Sequence, residues 1–215
     1  SLDVLKEAGS PSNGLPLIGL SYPWLHPDHP DPKGANLKRV AEVLELYTKG
    51  GQRYGVFWDY ASLHQHPDPK KGVMRTVEEN VLFKKGLESL DKVYAHGKTT
   101  VFRLTTPPAG YPEEYDLPEG ANAAAYIERG WCFTEQAWAS LTKDFDFSLD
   151  LGVLEGHERS KGEIVEACTA GGGRRPPLLP DEFEMALGQK TFTNGKDDRP
   201  LVARLYCEAF AAQFG

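Results

Sequence analysis

The chain has 215 residues, a size that one α/β domain fills without splitting, because single cores stop growing only at about 250 to 300 residues. Charged residues make up 26% and the A, V, I, L, M, F, W, Y, C set 40%, which excludes disorder of the low-hydrophobicity, high-charge kind. Lys plus Arg total 24 against 31 for Asp plus Glu, a net charge of −7, so the average surface repels phosphate backbones and anionic lipid, and neither nucleic acid nor a membrane is the expected partner.

Leu15 to Leu20 is a short apolar run entered from the turn residues Pro11 to Gly14, and it reads as a buried strand ending at Ser21-Tyr22. Four prolines between Pro23 and Gly34 remove backbone donors and fix φ, so a stiff, exposed loop is predicted. Asn36 is placed to cap a helix in which Leu37, Val40, Ala41, Leu44 and Tyr47 form one buried stripe, stopped by Gly50-Gly51. Tyr54 to Trp58 is apolar throughout and predicts a strand covered on both faces, delivering Asp59-Tyr60-Ala61-Ser62 at its carboxyl end.

After the loop from His64 to Gly72, a helix from about Thr76 carries Phe83, Leu87, Leu90 and Tyr94 on one face and finishes near Gly97. Thr99 to Leu104 is the third strand, the Pro- and Gly-rich segment Pro107 to Gly120 a loop, Asn122 to Leu141 a helix, and Phe145 to Leu154 a fourth strand. Gly171 to Pro177 breaks regular structure before helical patterns at Asp181 to Leu187 and Pro200 to Phe214, the latter capped by Asp198.

Strands alternating with helices predict the α/β class: a parallel sheet with helices on both faces, plus C-terminal helices. The expected organisation is one domain over residues 1–215, with its core at about 15–154 and a helical extension at about 160–215. Ligands of such sheets sit beyond the strand carboxyl ends, which places residues 21–34, 59–72 and 105–120 around one crevice. No apolar run reaches the roughly 20 residues that span a bilayer, and the polar start from Ser1 to Glu7 has no secretory core. Cys132, Cys168 and Cys207, spaced 36 and 39 apart, match neither a zinc knuckle nor a disulfide framework. A soluble protein of a reducing, cytoplasmic compartment is expected.

The segment Tyr126-Ile-Glu-Arg-Gly-Trp-Cys-Phe-Thr-Glu135 carries the densest chemistry. On a helix Trp131 and Glu135 are i and i+4, an aromatic plane beside a carboxylate, with Cys132 at their side and Gly130 allowing close approach of a neighbour. Apolar surroundings would raise the pKa of Glu135. On the pattern alone, Trp131 packs or touches ligand, and Glu135 either does chemistry or merely bonds a nearby backbone group or Arg129. Cys132 has no histidine placed beside it to make it a nucleophile.

At the rim, Tyr22 and Trp24 can stack on a planar ring, while Asp59 and Ser62, with Tyr60 between them, can bond a ribose or a phosphate-bridging water; Asp59 can equally cap its own turn. His26, Asp28, His29, Asp31, His64, His66 and Asp68 share this rim, but alternate prolines spread them without metal-site spacing, so no metal is expected. Arg174-Arg175 offers a phosphate contact or a solvated linker.

Gly130-Trp131-Cys132-Phe133-Thr134-Glu135, on the helix after the third strand, resembles the Trp-Cys-x-x-Glu motif of NAD-cleaving TIR (Toll/interleukin-1 receptor) domains, and Val56-Phe57-Trp58-Asp59 resembles their Phe-rich second strand followed by Asp. The resemblance covers about Leu15 to Leu154. It departs at the proline-histidine segment after the first strand, and Arg129-Gly130 replaces the serine that often precedes the Trp motif. It implies a flavodoxin-like fold in a divergent chain of the kind found among effectors of immune signalling, delivered into a host cell. It further implies an NAD nucleosidase making nicotinamide and ADP-ribose or a cyclic isomer, with Glu135 catalytic, NAD as substrate and no other cofactor. Ser21, Tyr22, Trp24, Asp59, Tyr60, Ser62, Trp131 and Cys132 are the substrate-binding candidates. TIR enzymes commonly self-associate to complete the site. The alternatives are a non-enzymatic adaptor and a nucleoside hydrolase or deoxyribosyltransferase, which shares the fold and relies on a Glu.

Overall fold

The computed structural model describes residues 14–68, 71–170, 175–192 and 198–215. The expectations for Ser1 to Glu7, Pro11 to Asn13, Gly171 to Gly173 and Arg174 fall outside these residues. Four strands form one all-parallel sheet: β1 (Leu17–Ser21), β2 (Gly55–Phe57), β3 (Thr100–Arg103) and β4 (Ser148–Asp150), in the order β2-β1-β3-β4. Among the described residues eight α-helices accompany it: α1 (Ala35–Thr48), α2 (Asp59–Ser62), α3 (Val77–Leu87), α4 (Asp91–Tyr94), α5 (Gly130–Thr142), α6 (Lys161–Thr169), α7 (Pro180–Leu187) and α8 (Arg199–Phe214).

The α/β class and the helices on both faces follow from which residues the strands bury. On one face Ile18, Leu20, Phe102 and Leu149 pack with Val40, Val43 and Tyr47 of α1 and Ile164 of α6. On the other, Val101 packs with Val93 and Tyr94 of α4, Trp138 and Leu141 of α5, Phe183 of α7 and Tyr206 of α8. The C-terminal helices are thus part of the second layer, which Phe183 cements by stacking on Tyr206 at 3.8 Å between ring centroids. In strand order the chain steps from β1 to β2 on one side and returns to β3 on the other, so the carboxyl ends of β1 and β3 flank the topological switch point, where open sheets bind ligands.

Several boundaries differ from the sequence pattern, each for a local reason. β2 is an edge strand, so Val56 is 40% exposed and not covered on both faces. The cap of α1 is Gly34 at φ 68°, not Asn36; the Asp31 carboxylate instead accepts from the Leu37 amide, and Leu37 itself is exposed. The proline loop after β1 is not wholly exposed, since Pro23, Leu25, Pro30 and Asp31 are buried. The predicted helix from Thr76 to Gly97 breaks into α3 and α4. Its first half starts at a Thr76–Glu79 capping box but buries no residue, because the apolar stripe points to the sheet only from Leu90 onward. The helix predicted from Asn122 begins only at Gly130, after a single 3₁₀ turn at Tyr126–Glu128. β4 is three residues flanked by 3₁₀ turns. α6, at whose start the Glu163 amide donates to the Ser160 hydroxyl, lies within the helical extension expected at about 160–215, although the sequence reading sets no limits for it.

Gly130 begins α5 where space is missing: a Cβ there would lie 2.2 Å from Cζ of Phe192, and its amide donates to the Thr191 carbonyl at 2.8 Å. The close approach expected at this glycine is therefore made by the segment after α7. Gly130→Ala should cost about 1–3 kcal/mol through overpacking. Adding Phe192→Ala should recover part of that loss, so that the urea-denaturation costs of the pair are clearly less than additive; strict additivity would show that the ring does not fill this gap.

Candidate functional site

Ser21 closes β1 and is wholly buried. Its hydroxyl donates to Oε2 of Glu135 at 2.6 Å and stands 2.6 Å from the Tyr126 hydroxyl. A serine has one proton to give, so Tyr126 is the donor to Ser21 and Ser21 the donor to Glu135. The helix that displays Glu135 leaves the preceding loop over the carboxyl end of β1, which puts the carboxyl group beside the switch point of the sheet.

Glu135 is 7% exposed. Burial raises its pKa well above the usual carboxyl range, the negative charge of Asp59 adds to this, and the Ser21 and Tyr94 hydroxyls oppose it. Tyr94 itself donates to the Leu20 carbonyl at 2.7 Å. The carboxyl group is thus neither bonded to Arg129, as one reading of the pattern allowed, nor abandoned among hydrocarbon. The Ser21 hydroxyl bonds it and the Tyr94 hydroxyl lies beside it, with Tyr126 one step further on behind Ser21.

Asp59, the first residue of α2, is the second acid at this end of the sheet and is partly buried. Its carboxylate accepts from the Tyr22 hydroxyl at 2.7 Å, from the Trp24 indole at 3.1 Å and from the Tyr60 amide at 2.7 Å. Burial raises its pKa, and these three donors work against the rise. Around it the aromatic rings touch one another: Tyr22 on Trp58, Trp24 on Tyr60, His29 on Tyr60, and the Trp58 indole donates to the Tyr22 hydroxyl.

Arg129 holds the cover over these groups. It is buried, and its guanidinium donates to the Trp24 carbonyl at 2.6 Å, the Ala124 carbonyl at 2.9 Å and the Tyr111 hydroxyl at 3.1 Å. The loop after β1 and the long loop after β3 are thereby tied to the residue that precedes α5.

The structure therefore brings together Ser21, Tyr22, Trp24, Asp59, Tyr60 and Glu135, with Cys132 buried close enough to Glu135 and Arg129 for their charges to act on its thiol. It separates two others. Trp131 points to the C-terminal layer, where its indole donates to Asp198 at 3.0 Å; i, i+4 spacing does not keep it beside Glu135, because α8 offers a carboxylate on its side of the helix. Asp198 accordingly precedes α8 without capping it by a side-chain bond. Ser62 is exposed and accepts from the Trp58 amide. Burial raises the Cys132 thiol well above its ordinary pKa, so it is not poised as a thiolate.

The rim histidines make local loop contacts, His26 with the Asp28 amide and His29 with the Asp31 amide, and among the described residues no three His, Cys, Asp or Glu side chains converge as metal ligands would. Tyr94, Tyr126, Trp58 and Arg129 are not among the substrate-binding or catalytic candidates read from the sequence. Tyr94 and Tyr126 look like core residues there, and nothing in spacing says that their hydroxyls reach Glu135 or its partner Ser21.

Compared with known proteins, the chain matches no family model, no curated protein and no solved structure. Among the described residues no helix is long and apolar enough to cross a membrane.

A raised carboxyl pKa has a signed consequence for stability. Folded protein holds the Glu135 proton above the pH at which the unfolded chain releases it, so Glu135 costs the native state progressively more as pH rises through and beyond the ordinary carboxyl range. Glu135→Gln, which stays neutral, should gain on wild type between pH 5 and pH 8 when urea midpoints are compared. A difference that does not change with pH would mean that the folded carboxyl titrates normally.

Proposed function

We propose that this protein cleaves the nicotinamide–ribose bond of NAD, with Glu135 as the catalytic carboxyl group. The observation that carries the reading is the position of Glu135: a nearly buried carboxyl, raised in pKa, hydrogen-bonded to the last residue of β1 at the switch point. The resemblance of Gly130 to Glu135 to the motif of NAD-cleaving TIR domains agrees with it, as does the flavodoxin-like strand order.

The electrostatics favour a cationic substrate. Asp59 raises the cost of ionising the buried Glu135, and a pyridinium ring with its ribose arriving between the two acids lowers that cost. Tyr22, Trp24, Trp58 and Tyr60 around Asp59 present the aromatic surface that binds such a cation. As the C–N bond breaks, its electron pair leaves with nicotinamide, which becomes neutral and needs no general acid. The ribose gains oxocarbenium character, which ionised Glu135 stabilises while it holds the sugar hydroxyls. Water attacks the anomeric carbon and gives ADP-ribose; attack by one of NAD's own hydroxyls gives a cyclic isomer. The tight cover tied down by Arg129 must open for entry, and once closed it limits the access of bulk water.

Incubating the protein with NAD should release nicotinamide, and Glu135→Gln, nearly isosteric in a buried site, should lower the rate by about 10³-fold or more with an unchanged circular dichroism spectrum. Release that survives the substitution would remove Glu135 from the chemistry. Turnover of a free nucleoside without turnover of NAD would point to a nucleoside-cleaving enzyme. Inactivity towards both would favour an interaction module, a role to which α3 is suited by the exposed side chains Val77, Val81 and Leu82.

A further inference from the structure

Beside β4, the edge strand opposite β2, lies a cleft of about 590 Å³ between α5, β4 and the end of α6. Glu135 does not line it, nor do the aromatic rings around Asp59. Its central group is Arg103, the last residue of β3, which is paired in register with Ser21 on one side and Asp150 on the other.

The guanidinium of Arg103 is poorly used by the protein. Its side chain is 16% exposed, its Nε is buried and has no hydrogen-bond partner, and Nη2 reaches the Ser148 carbonyl only at 3.5 Å. Asp150, 3.8 Å from Nη1, has other donors, accepting from Thr105 at 2.6 Å and from the Gly152 amide at 2.9 Å. A guanidinium carries five N–H donors in a rigid fork, and leaving one of them buried without an acceptor and the others with distant ones costs free energy that an incoming anion would return.

The rest of the lining decides which anion. Arg175 adds a second, exposed cation. Lys143 contributes less, since its ammonium donates to the His96 and Thr99 carbonyls and burial pushes its pKa down to about 7. Asp144 and Asp150 are the opposing charges, and the first of these is exposed and free to turn away. At the mouth Phe145 presents a ring that is 57% exposed.

We propose that this cleft binds a nucleotide through its diphosphate, with Arg103 and Arg175 as the phosphate contacts and Phe145 as the platform for the base. Two forks of N–H donors suit the bidentate geometry of phosphate oxygens, the volume accommodates a nucleotide, and an exposed aromatic ring offers stacking that a bare inorganic anion cannot use. The site lies next to the switch point without sharing a residue with the Glu135 network, and it stands whether or not NAD is the substrate there.

Isothermal titration of the full chain with ADP, inorganic pyrophosphate and adenosine, at low salt, tests the proposal. ADP should bind more tightly than pyrophosphate, adenosine weakly or not at all, and affinity for both phosphates should fall with added salt. Arg103→Gln should weaken both by about tenfold or more, the equivalent of hydrogen bonds to a charged group, and Arg175→Gln less. Phe145→Ala should bring ADP down to the level of pyrophosphate and leave pyrophosphate unchanged. Glu135→Gln, which would stop nicotinamide release, should bind ADP as wild type does, so the two readings fail separately.

Because Arg103 is largely buried and its variant can misfold, the ¹⁵N shift of its Nε in wild-type protein provides a second readout, which should move on adding pyrophosphate. No binding of ADP at millimolar concentration, or equal affinity in folded Arg103→Gln, overturns the proposal, as does an unmoved Nε signal at saturating pyrophosphate.

Discussion

The hydrogen-bonded chain from Tyr126 through Ser21 to Glu135 is the constraint on which the rest of the candidate site depends. Three polar groups lie in an interior where an unpaired one would cost on the order of 1–3 kcal/mol, so each must find the others. Meeting at one point fixes the last residue of β1, the 3₁₀ turn before α5 and the second turn of α5 relative to each other. A sheet of four short strands could leave its carboxyl ends loosely covered; here the polar contact and the ties of Arg129 to two loops decide how the cover sits.

The buried Glu135 and the partly buried Asp59 are treated differently by their surroundings. Asp59 receives three well-placed donors, two of them from aromatic side chains, and is equipped to carry charge. Glu135 has chiefly hydroxyls about it and Asp59 as an unfavourable neighbour. In this arrangement a cation between them would be stabilised by both, which links the rings of the Asp59 cluster to the chemistry proposed at Glu135.

Across the sheet, one row runs Ser21, Arg103, Asp150 at the carboxyl ends of β1, β3 and β4. Parallel pairing places side chains of equal register on one face, so a neutral hydroxyl, a cation and an anion lie in sequence beneath α5. Ser21 serves Glu135, Asp150 is satisfied by its own loop, and Arg103 is left with capacity to spare. The uneven satisfaction of this row makes its middle member stand out.

The class of fold and the element that carries Glu135 were legible because they rest on local patterns: apolar runs of strand length, a 3.6-residue stripe, and a Trp-Cys-x-x-Glu spacing on the helix after the third strand. Helix limits were less legible. The stripe continues through Gly86 into Leu90 and Tyr94, yet the chain breaks between them, and the segment from Asn122 looks helical by composition but spends its residues tying loops to Arg129.

What the sequence determined by itself is which side chains have the chemistry to form a site, since residue type and short spacing are intrinsic to the chain. Which of them meet was decided only in three dimensions. Trp131, four residues from Glu135, is drawn to Asp198, 67 positions away, while Ser21 finds Glu135 across 114. Spacing along a helix constrains direction only to within a face, whereas the partner that a polar group bonds is set by which elements pack beside it. That choice belongs to the folded sheet and its layers.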